Sequence, residues 1–176
     1  MKGPLFYSKI LLFGEYGIIE DSKGLSIPYN FFNGALKFSK GETKDSKKSN
    51  KILLKFHKYL SKIHDLDLDL SKFEKDLQQG IYFDSSIPQG YGVGSSGAIV
   101  AAVYDKYAMN KIKISENLNR NKLVDLRNIF SKMESFFHGK SSGLDPLNSY
   151  LSIPILIESK NKIDVTGIPL EKVNGE

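Results

Sequence analysis

Cysteine is absent from the 176-residue chain, which excludes disulfides, thiolate zinc sites and a cysteine nucleophile. Only three histidines occur, and no pair of them has the spacing of a zinc site with carboxylates. No apolar run of 18 or more residues is present, so no membrane span is predicted. The N-terminus also lacks the pattern of a signal peptide. Arginine is nearly missing, with only Arg120 and Arg127 among 25 basic residues. Because nucleic-acid sites concentrate arginine and interleave aromatic residues, we do not expect nucleic acid as a partner. We do not expect a membrane partner either, since no apolar run is long enough to span one.

The composition is that of a folded domain. Apolar residues make up 40% of the chain and charged residues 26%, which is enough to build a core. The net charge is +5, and the lysines are scattered. Their densest group, Lys44–Lys51, lies in the polar segment KGETKDSKKSNK of residues 40–51. We predict that the stretch Lys40–Asn50 is a loop.

Hydrophobic periodicity and turn signals predict an α+β fold rather than a regular βαβ alternation. Ser71 and Glu74 fit a capping box at the start of a helix, and Gly80 fits the position just after its end. The predicted strands are Leu5–Phe13, Leu25–Asn30, Phe31–Phe38, Ile81–Asp84 and Leu151–Ser159. The predicted helices are Lys51–His64, Lys72–Gln79, Gly97–Met109 and Lys122–Phe137.

The strongest chemical signal is a glycine-rich loop, IPQGYGVGSSGA, which runs from Ile87 to Ala98 and leads directly into a helix. Glycines let the backbone approach a ligand closely. The first N–H groups of a helix have no partner within the helix, and the helix dipole is positive there. Ser95 and Ser96 add hydroxyls within reach of a phosphate or a magnesium ion. The loop therefore predicts a phosphate cradle. The alternative is a tight turn with a serine N-cap.

Better-known binding loops do not fit this segment. Gly92-x-Gly94-x-x-Gly97 matches the dinucleotide fingerprint, but no strand ending in an acid follows about 20 residues later. A Walker A loop needs a lysine where Ala98 stands, and a nucleophile elbow needs glycines on both sides of its serine. The run Asp65-x-Asp67-x-Asp69 lacks the glycine and the final glutamate of a calcium loop.

A second cluster lies in and after the first predicted strand. Lys9 is inside the strand, where an ammonium group is costly to bury without an anionic partner. Gly14, Glu15 and Tyr16 follow at the exit of the strand. The alternative is a surface lysine with a turn glutamate.

A third cluster spans the end of the last predicted helix. Glu134 and His138 are four residues apart and share one helical face. Gly139 ends the helix, and the following turn presents Ser142 and Asp145. One carboxylate could hold magnesium and the other could accept a proton from an alcohol. The alternatives are a solvated glutamate, a packed histidine and a turn-forming aspartate.

Together and in this order, the three clusters resemble the GHMP kinases, the superfamily of galactose, homoserine, mevalonate and phosphomevalonate kinases, and are most similar to the mevalonate kinases. Lys9–Tyr16 looks like the first family motif, and Pro88–Ala98 looks like the second, Pro-x-Gly-x-Gly-Leu-Gly-Ser-Ser-Ala. His138–Pro146 is similar to the segment His-Gly-x-Pro-Ser-Gly-x-Asp. The chain departs from these motifs at Tyr16, where many members have histidine, at Gly97 in place of alanine, and at Ser141 in place of proline.

The resemblance implies roles for individual residues. Asp145 would be the base that takes the proton of the substrate hydroxyl, and Lys9 would neighbour it and stabilise the transferring phosphoryl group. Mg²⁺ would be held by Ser96 and Glu134. The substrate would be contacted by Glu15, Tyr16, His138 and Ser142. ATP would be bound by Pro88, Gly90, Gly92, Gly94, Ser95, Ser96 and Gly97, the last five of which would hold its phosphates.

The resemblance also implies a fold and an activity. The fold would be a ribosomal-protein-like, two-layer α+β domain with a left-handed βαβ crossover. Residues 1–176 would be the ATP-binding N-terminal domain, and the C-terminal domain of the family would be missing. The surface that faces such a domain should then be unusually apolar, and the chain would pair with that domain or form a homodimer. We expect a cytoplasmic location.

The expected activity is the ATP-dependent phosphorylation of an alcohol, namely mevalonate to 5-phosphomevalonate in isoprenoid synthesis. Three alternatives stay open. The chain could be a non-catalytic nucleotide-binding fragment or pseudo-kinase, or a kinase of the same superfamily with another acceptor. It could also be a basic RNA-binding protein, because similar folds occur in ribosomal proteins.

Overall fold

The computed structural model describes residues 3–14, 23–39, 41, 43–113, 119–159 and 162–165. The order of the elements is irregular, and the predicted α+β class is confirmed. The strands are β1 (Phe6–Phe13), β2 (Gly24–Phe38), β3 (Ile81–Ser85), β4 (Ile155–Ser159) and β5 (Lys162–Val165). The helices are α1 (Lys44–Leu60), α2 (Leu70–Gln78), α3 (Ser95–Tyr107), α4 (Arg120–His138) and α5 (Leu144–Leu151).

The sheet is built around the long strand β2, and every pairing within the described residues is antiparallel. Gly34 pairs with both Phe6 of β1 and Ser85 of β3, and Leu25 pairs with both Phe13 of β1 and Leu156 of β4. A residue can pair with two strands only across opposite edges of its own strand. Strand β1 therefore lies along one edge of β2, and β3 and β4 share the other. The left-handed crossover stays a prediction.

Strand β2 is continuous, so the prediction of two strands, Leu25–Asn30 and Phe31–Phe38, is wrong. The register with β1 jumps from Tyr7↔Asn33 to Ser8↔Tyr29, which leaves Asn30 to Phe32 as an irregularity in one strand. A bulge interrupts the alternation of buried and exposed side chains. Phe31 lies within this irregularity and is 81% exposed.

Helix α1 begins at Lys44, so the prediction of a loop over Lys40–Asn50 is wrong for residues 44–50. Thr43 is the N-cap, and its hydroxyl accepts a hydrogen bond from the Ser46 N–H at 3.0 Å while the Ser46 hydroxyl accepts from the Thr43 N–H at 3.0 Å. This reciprocal cap starts the helix before any apolar periodicity is visible. Helix α2 is capped by Asp69 rather than by the predicted Ser71, and Gly80 follows its C-cap at φ +79° as predicted.

Helix α3 is the centre of the core, as its apolar sequence predicts. Its side chains are buried almost all round, and it packs against β1, β2, α4 and α5. Helix α5 was not predicted, and β4 begins four residues after the predicted start at Leu151. In the described part of the chain, no helix has the length and apolar character needed to cross a membrane.

Candidate active site

The site forms where the glycine-rich loop and α5 cover the outer edge of β1. The Lys9 N–H donates to the Val93 carbonyl at 3.0 Å, which ties the loop to the strand. The Tyr7 carbonyl accepts from the Ser149 hydroxyl at 2.7 Å, which ties α5 to the same strand. Edge groups that would otherwise be unpaired are satisfied in this way. The strand, the loop and the helix are therefore held in one fixed arrangement.

The first turn of α3 has the properties of an anion site. Its N-cap is Gly94, at φ +83°, and no side chain caps the helix. Gly90 and Gly92 also have positive φ, at +83° and +68°. These conformations favour glycine, and the absence of side chains lets a ligand approach the loop backbone closely. The N–H groups of the first turn are thus left for a ligand, at the positive end of the helix dipole.

The N-terminus of α5 meets that of α3 at very short range. A Cβ at Gly97 would lie 2.7 Å from the carbonyl carbon of Asp145 and from the nitrogen of Pro146. Helix α5 also begins at a glycine without a side-chain cap, Gly143 at φ +74°, where a Cβ would collide with the Arg127 carbonyl of α4. The positive ends of two helices therefore converge. Glycine is required at position 97 for the contact between α3 and α5, and at position 143 for the packing of α5 on α4.

Lys9 and Asp145 form the ion pair at this junction. The Lys9 ammonium lies 2.9 Å from Asp145 Oδ1, and the side chains are 11% and 35% exposed. Gly94 makes room for the lysine, since a Cβ there would lie 3.0 Å from Lys9 Cγ. The lysine is thus nearly buried with an anionic partner, as its place inside a strand requires. The aspartate keeps a solvent-accessible side.

Glu134 of α4 is the hub of a second group of polar side chains. It is 3% exposed, and its Oε1 accepts a hydrogen bond from the Ser96 hydroxyl at 3.0 Å. Its Oε2 accepts from the Ser141 hydroxyl. His138 Nε2 lies 3.0 Å from the Ser96 Oγ, so Glu134 and His138 meet on the same serine, on the shared helical face. Ser141 is itself fixed, because its Oγ also accepts from the Gly143 N–H at 3.0 Å.

Burial raises the pKa of Glu134 to about 7. The negative charge of Asp145 contributes to the rise, and the hydroxyls of Ser141 and Ser96 and the Lys9 cation act in the opposite direction. A buried carboxylate without a full positive neighbour is costly, so the proton is held more tightly. Carboxyls in this state are concentrated at functional sites.

The residues present fit a magnesium ion that is shared with phosphate. Ser96 Oγ and Glu134 Oε1 are hard oxygen donors 3.0 Å apart. Neighbouring ligands of octahedral Mg²⁺ lie about 2.8–3.0 Å apart, since its bonds are about 2.0–2.1 Å long. The described residues contain no group of three or more acidic or histidine side chains that could hold a metal by itself. Phosphate oxygens and water would complete the shell, which is how Mg²⁺ is usually bound beside nucleotides.

A cleft of about 380 Å³ opens next to the start of α3. It lies between α1, β3 and the glycine-rich loop, and Ser95 forms part of its wall. Its lining mixes apolar side chains, such as Ile52 and Tyr82, with the polar side chains Lys48 and Gln89. The cleft has room for a nucleoside-sized group beside the first turn of α3.

The structure brings most of the predicted site residues together. Ser142 lies at the surface, and its hydroxyl accepts weakly from the Leu144 N–H at 3.4 Å. Glu15 and Tyr16 lie outside the described residues. Two features were not predicted, namely the bond from Ser141 to Glu134 and the lining of the cleft. The substitution of serine for proline at position 141 was the one available signal for the first, and nothing in the linear pattern indicated the second.

The comparisons with known proteins agree on the fold. The solved structures similar to this chain include a mevalonate kinase (17% identity, TM-score 0.53) and the Methanococcus jannaschii mevalonate kinase (17%, 0.54). They also include the L. major mevalonate kinase in complex with R-mevalonate (18%, 0.53). The alignments cover 95%, 96% and 96% of this chain and 56%, 56% and 55% of those proteins. The chain thus spans little more than half the length of these structures. None of the curated proteins matches the sequence significantly.

The family assignment comes from the sequence itself. The sequence model of the family described as "GHMP kinases N terminal domain" matches residues 51–152, which is more than half of the chain. The matched segment contains the glycine-rich loop, Glu134 and Asp145. The resemblance found from the three motifs is thereby confirmed: the chain belongs to the GHMP kinase family, as its N-terminal domain.

Proposed function

We propose that the protein transfers the γ-phosphoryl group of ATP to the hydroxyl of a small alcohol, with mevalonate as the first acceptor to test. The observation that carries this proposal is the Lys9–Asp145 ion pair at 2.9 Å. It lies at the junction of the N-termini of α3 and α5, where no side chain caps α3, and next to a buried carboxyl group. Phosphoryl transfer needs positive charge, oriented N–H donors and a group that positions the nucleophile, and this junction supplies all three.

In this mechanism, Asp145 accepts the proton of the acceptor hydroxyl as its oxygen forms a bond to the γ-phosphorus. The bond from that phosphorus to the bridging oxygen breaks, and ADP leaves. The Lys9 ammonium stabilises the negative charge on the transferring group, and the first N–H groups of α3 bind the phosphates. The base is kept partly accessible, as contact with an acceptor alcohol requires.

Ser96 and Glu134 would hold the magnesium ion, which neutralises phosphate charge when it is bound. Ser141 keeps the second oxygen of Glu134 occupied, so that Oε1 faces Ser96. The cleft beside Ser95 would take the nucleoside part of ATP. These contacts form a binding surface for ATP before any acceptor arrives.

On the acceptor side, Glu15 and Tyr16 lie outside the described residues. Large apolar side chains are exposed at the end of β1 and on the β2 bulge, with Leu12 at 55%, Phe13 at 51% and Phe31 at 81%. Such a surface is consistent with a second domain or a second copy packing against this one. A second candidate function is suggested by coverage, because this chain spans little more than half the length of the similar structures. In that case the chain by itself binds a nucleotide without turning it over.

Acceptor-dependent release of ADP tests the proposal. The full-length protein is mixed with ATP, Mg²⁺ and one of four acceptors, namely mevalonate, phosphomevalonate, homoserine or galactose. The products are identified by phosphorus NMR. We expect one acceptor to give a phosphate ester in stoichiometric amount with ADP. ADP release at the same rate with every acceptor and with none would contradict the proposal. Nucleotide binding without any turnover would favour the second candidate.

A further inference from the structure

Lysines of α1, including Lys44 and Lys48 from the stretch predicted to be a loop, lie along one side of the helix. Five of them follow one another at intervals of four and three residues, and all five are exposed. At about 100° per residue they fall within an arc of about 80° and extend over about 21 Å of helix. We call these five residues the lysine stripe: Lys44, Lys48, Lys51, Lys55 and Lys58.

The lysine stripe lies directly opposite the buried face of the helix. Leu53, Phe56 and Leu60 are 1%, 0% and 0% exposed and fix α1 against the core. The helix cannot rotate to hide its lysines without losing this burial. The stripe is therefore a permanent part of the outer surface.

The described residues do not neutralise the charges of the stripe. Within the described residues, none of the five lysines has an ion pair, and Asp45 is the only acid on α1. Like charges at these spacings destabilise a helix. Successive lysines rise about 4.5–6 Å along the axis, which is less than the Debye length of about 8 Å, so their fields add. Helix stability does not explain the arrangement, and a continuous positive surface results.

We propose that the lysine stripe docks the protein on an anionic lipid surface. Groups of four to eight lysines on one helix are typical of proteins that bind acidic headgroups. Leu54, at 39% exposure, borders the stripe and can make a shallow apolar contact. The apolar face of α1 is occupied by the core, so attachment is peripheral and salt-sensitive.

The side chains of the stripe favour lipid over nucleic acid. Recognition of single-stranded nucleic acid uses aromatic rings that stack on bases, together with arginine. The stripe has no arginine, and the adjoining Tyr59 is occupied, since its hydroxyl donates to the Lys132 carbonyl at 3.0 Å and its ring packs on Phe136. The stripe thus offers charge without base-reading groups. The proposal departs from the sequence-based expectation of no membrane partner. It does not rest on the proposed kinase activity, although Lys48 also lines the cleft beside Ser95.

Sedimentation with lipid vesicles tests the proposal. The full-length protein is mixed with vesicles of phosphatidylcholine alone or of phosphatidylcholine with phosphatidylserine, at low and high salt. The test variant is Lys51→Gln, Lys55→Gln, Lys58→Gln, which leaves Lys48 in the wall of the cleft. The matched control changes three exposed lysines outside α1 by the same total charge: Lys23→Gln, Lys72→Gln, Lys75→Gln. Thermal melts confirm that both variants fold.

We expect binding to the phosphatidylserine vesicles only, weakened about 100-fold in the stripe variant and less than about tenfold in the control. High salt should abolish it. Three results would overturn the proposal. These are no binding to the acidic vesicles, equal binding to both vesicles, and equal losses in the two variants. A single-stranded RNA that binds more tightly than the acidic vesicles at the same salt, and is lost in the stripe variant, would reassign the stripe to nucleic acid.

Discussion

Replacing Asp145 by asparagine in the full-length protein should lower kcat by about 10²–10⁴-fold, the usual contribution of a positioned proton acceptor. Asparagine has nearly the same size, and the close contact of α5 with Gly97 involves the Asp145 backbone and Cβ, which the substitution keeps. Nucleotide affinity should therefore change little. The rate of the chemical step, measured in a single turnover, reports the loss directly.

The matched control is Asp125→Asn, which removes an exposed carboxylate from the outer side of α4. It changes the net charge equally and should leave turnover unchanged. An Asp145→Asn protein that retains turnover within tenfold of the original would show that another group accepts the proton. A loss of nucleotide binding in step with kcat would instead assign Asp145 to the phosphate site.

Replacing Glu134 by glutamine should stabilise the protein at pH 8 while removing the dependence of nucleotide binding on magnesium. The pKa of Glu134 is raised from 4.5 to about 7, with burial as the main cause. Between these values the folded protein keeps a proton that the unfolded chain has lost. Raising the pH through this range therefore lowers the free energy of unfolding, by an amount on the order of 3 kcal/mol.

Glutamine carries no charge at any pH and can still bond to Ser96 and Ser141. The difference in unfolding free energy between the original protein and Glu134→Gln should thus change from pH 5 to about pH 7 and level off above it. Urea denaturation without divalent ions measures it, and Glu74→Gln, an exposed acid on α2, serves as the control. Parallel pH curves for the original and Glu134→Gln proteins would show that the carboxyl is not held as the structure places it. A substitution that stabilises the fold and removes function identifies a residue kept for function.

The fold was predictable where side-chain periodicity determines it, as in α3 and α4. It was not predictable for the first two turns of α1, because a lysine-rich run has no apolar repeat and its start depends on the bond between Thr43 and Ser46. Helix α5 was not predictable for a similar reason, since it begins at a glycine with positive φ and contains Pro146 in its first turn. Both errors arise where local caps, rather than hydrophobic spacing, decide the structure.

The site residues were predictable from motifs, because phosphate chemistry requires glycines, hydroxyls and carboxylates in a known order. Their mutual contacts were not, because these depend on how separate elements meet. The approach of α3 to α5 at Gly97 is set by tertiary packing. The bond from Ser141 to Glu134 is set by the turn after α4, whose shape depends on Gly143 packing against the Arg127 carbonyl. The roles of these residues stay predictions until they are tested by substitution.

The central claim is that α3 begins at a phosphate cradle shared with a magnesium ion. Isothermal titration of the full-length protein with a non-hydrolysable ATP analogue tests it directly, with and without Mg²⁺, for the original protein, Ser96→Ala and the exposed control Ser71→Ala. We predict magnesium-dependent binding that weakens about 10–100-fold in Ser96→Ala and is unchanged in Ser71→Ala. No binding at millimolar nucleotide, or an affinity indifferent to both Mg²⁺ and Ser96→Ala, would contradict the account.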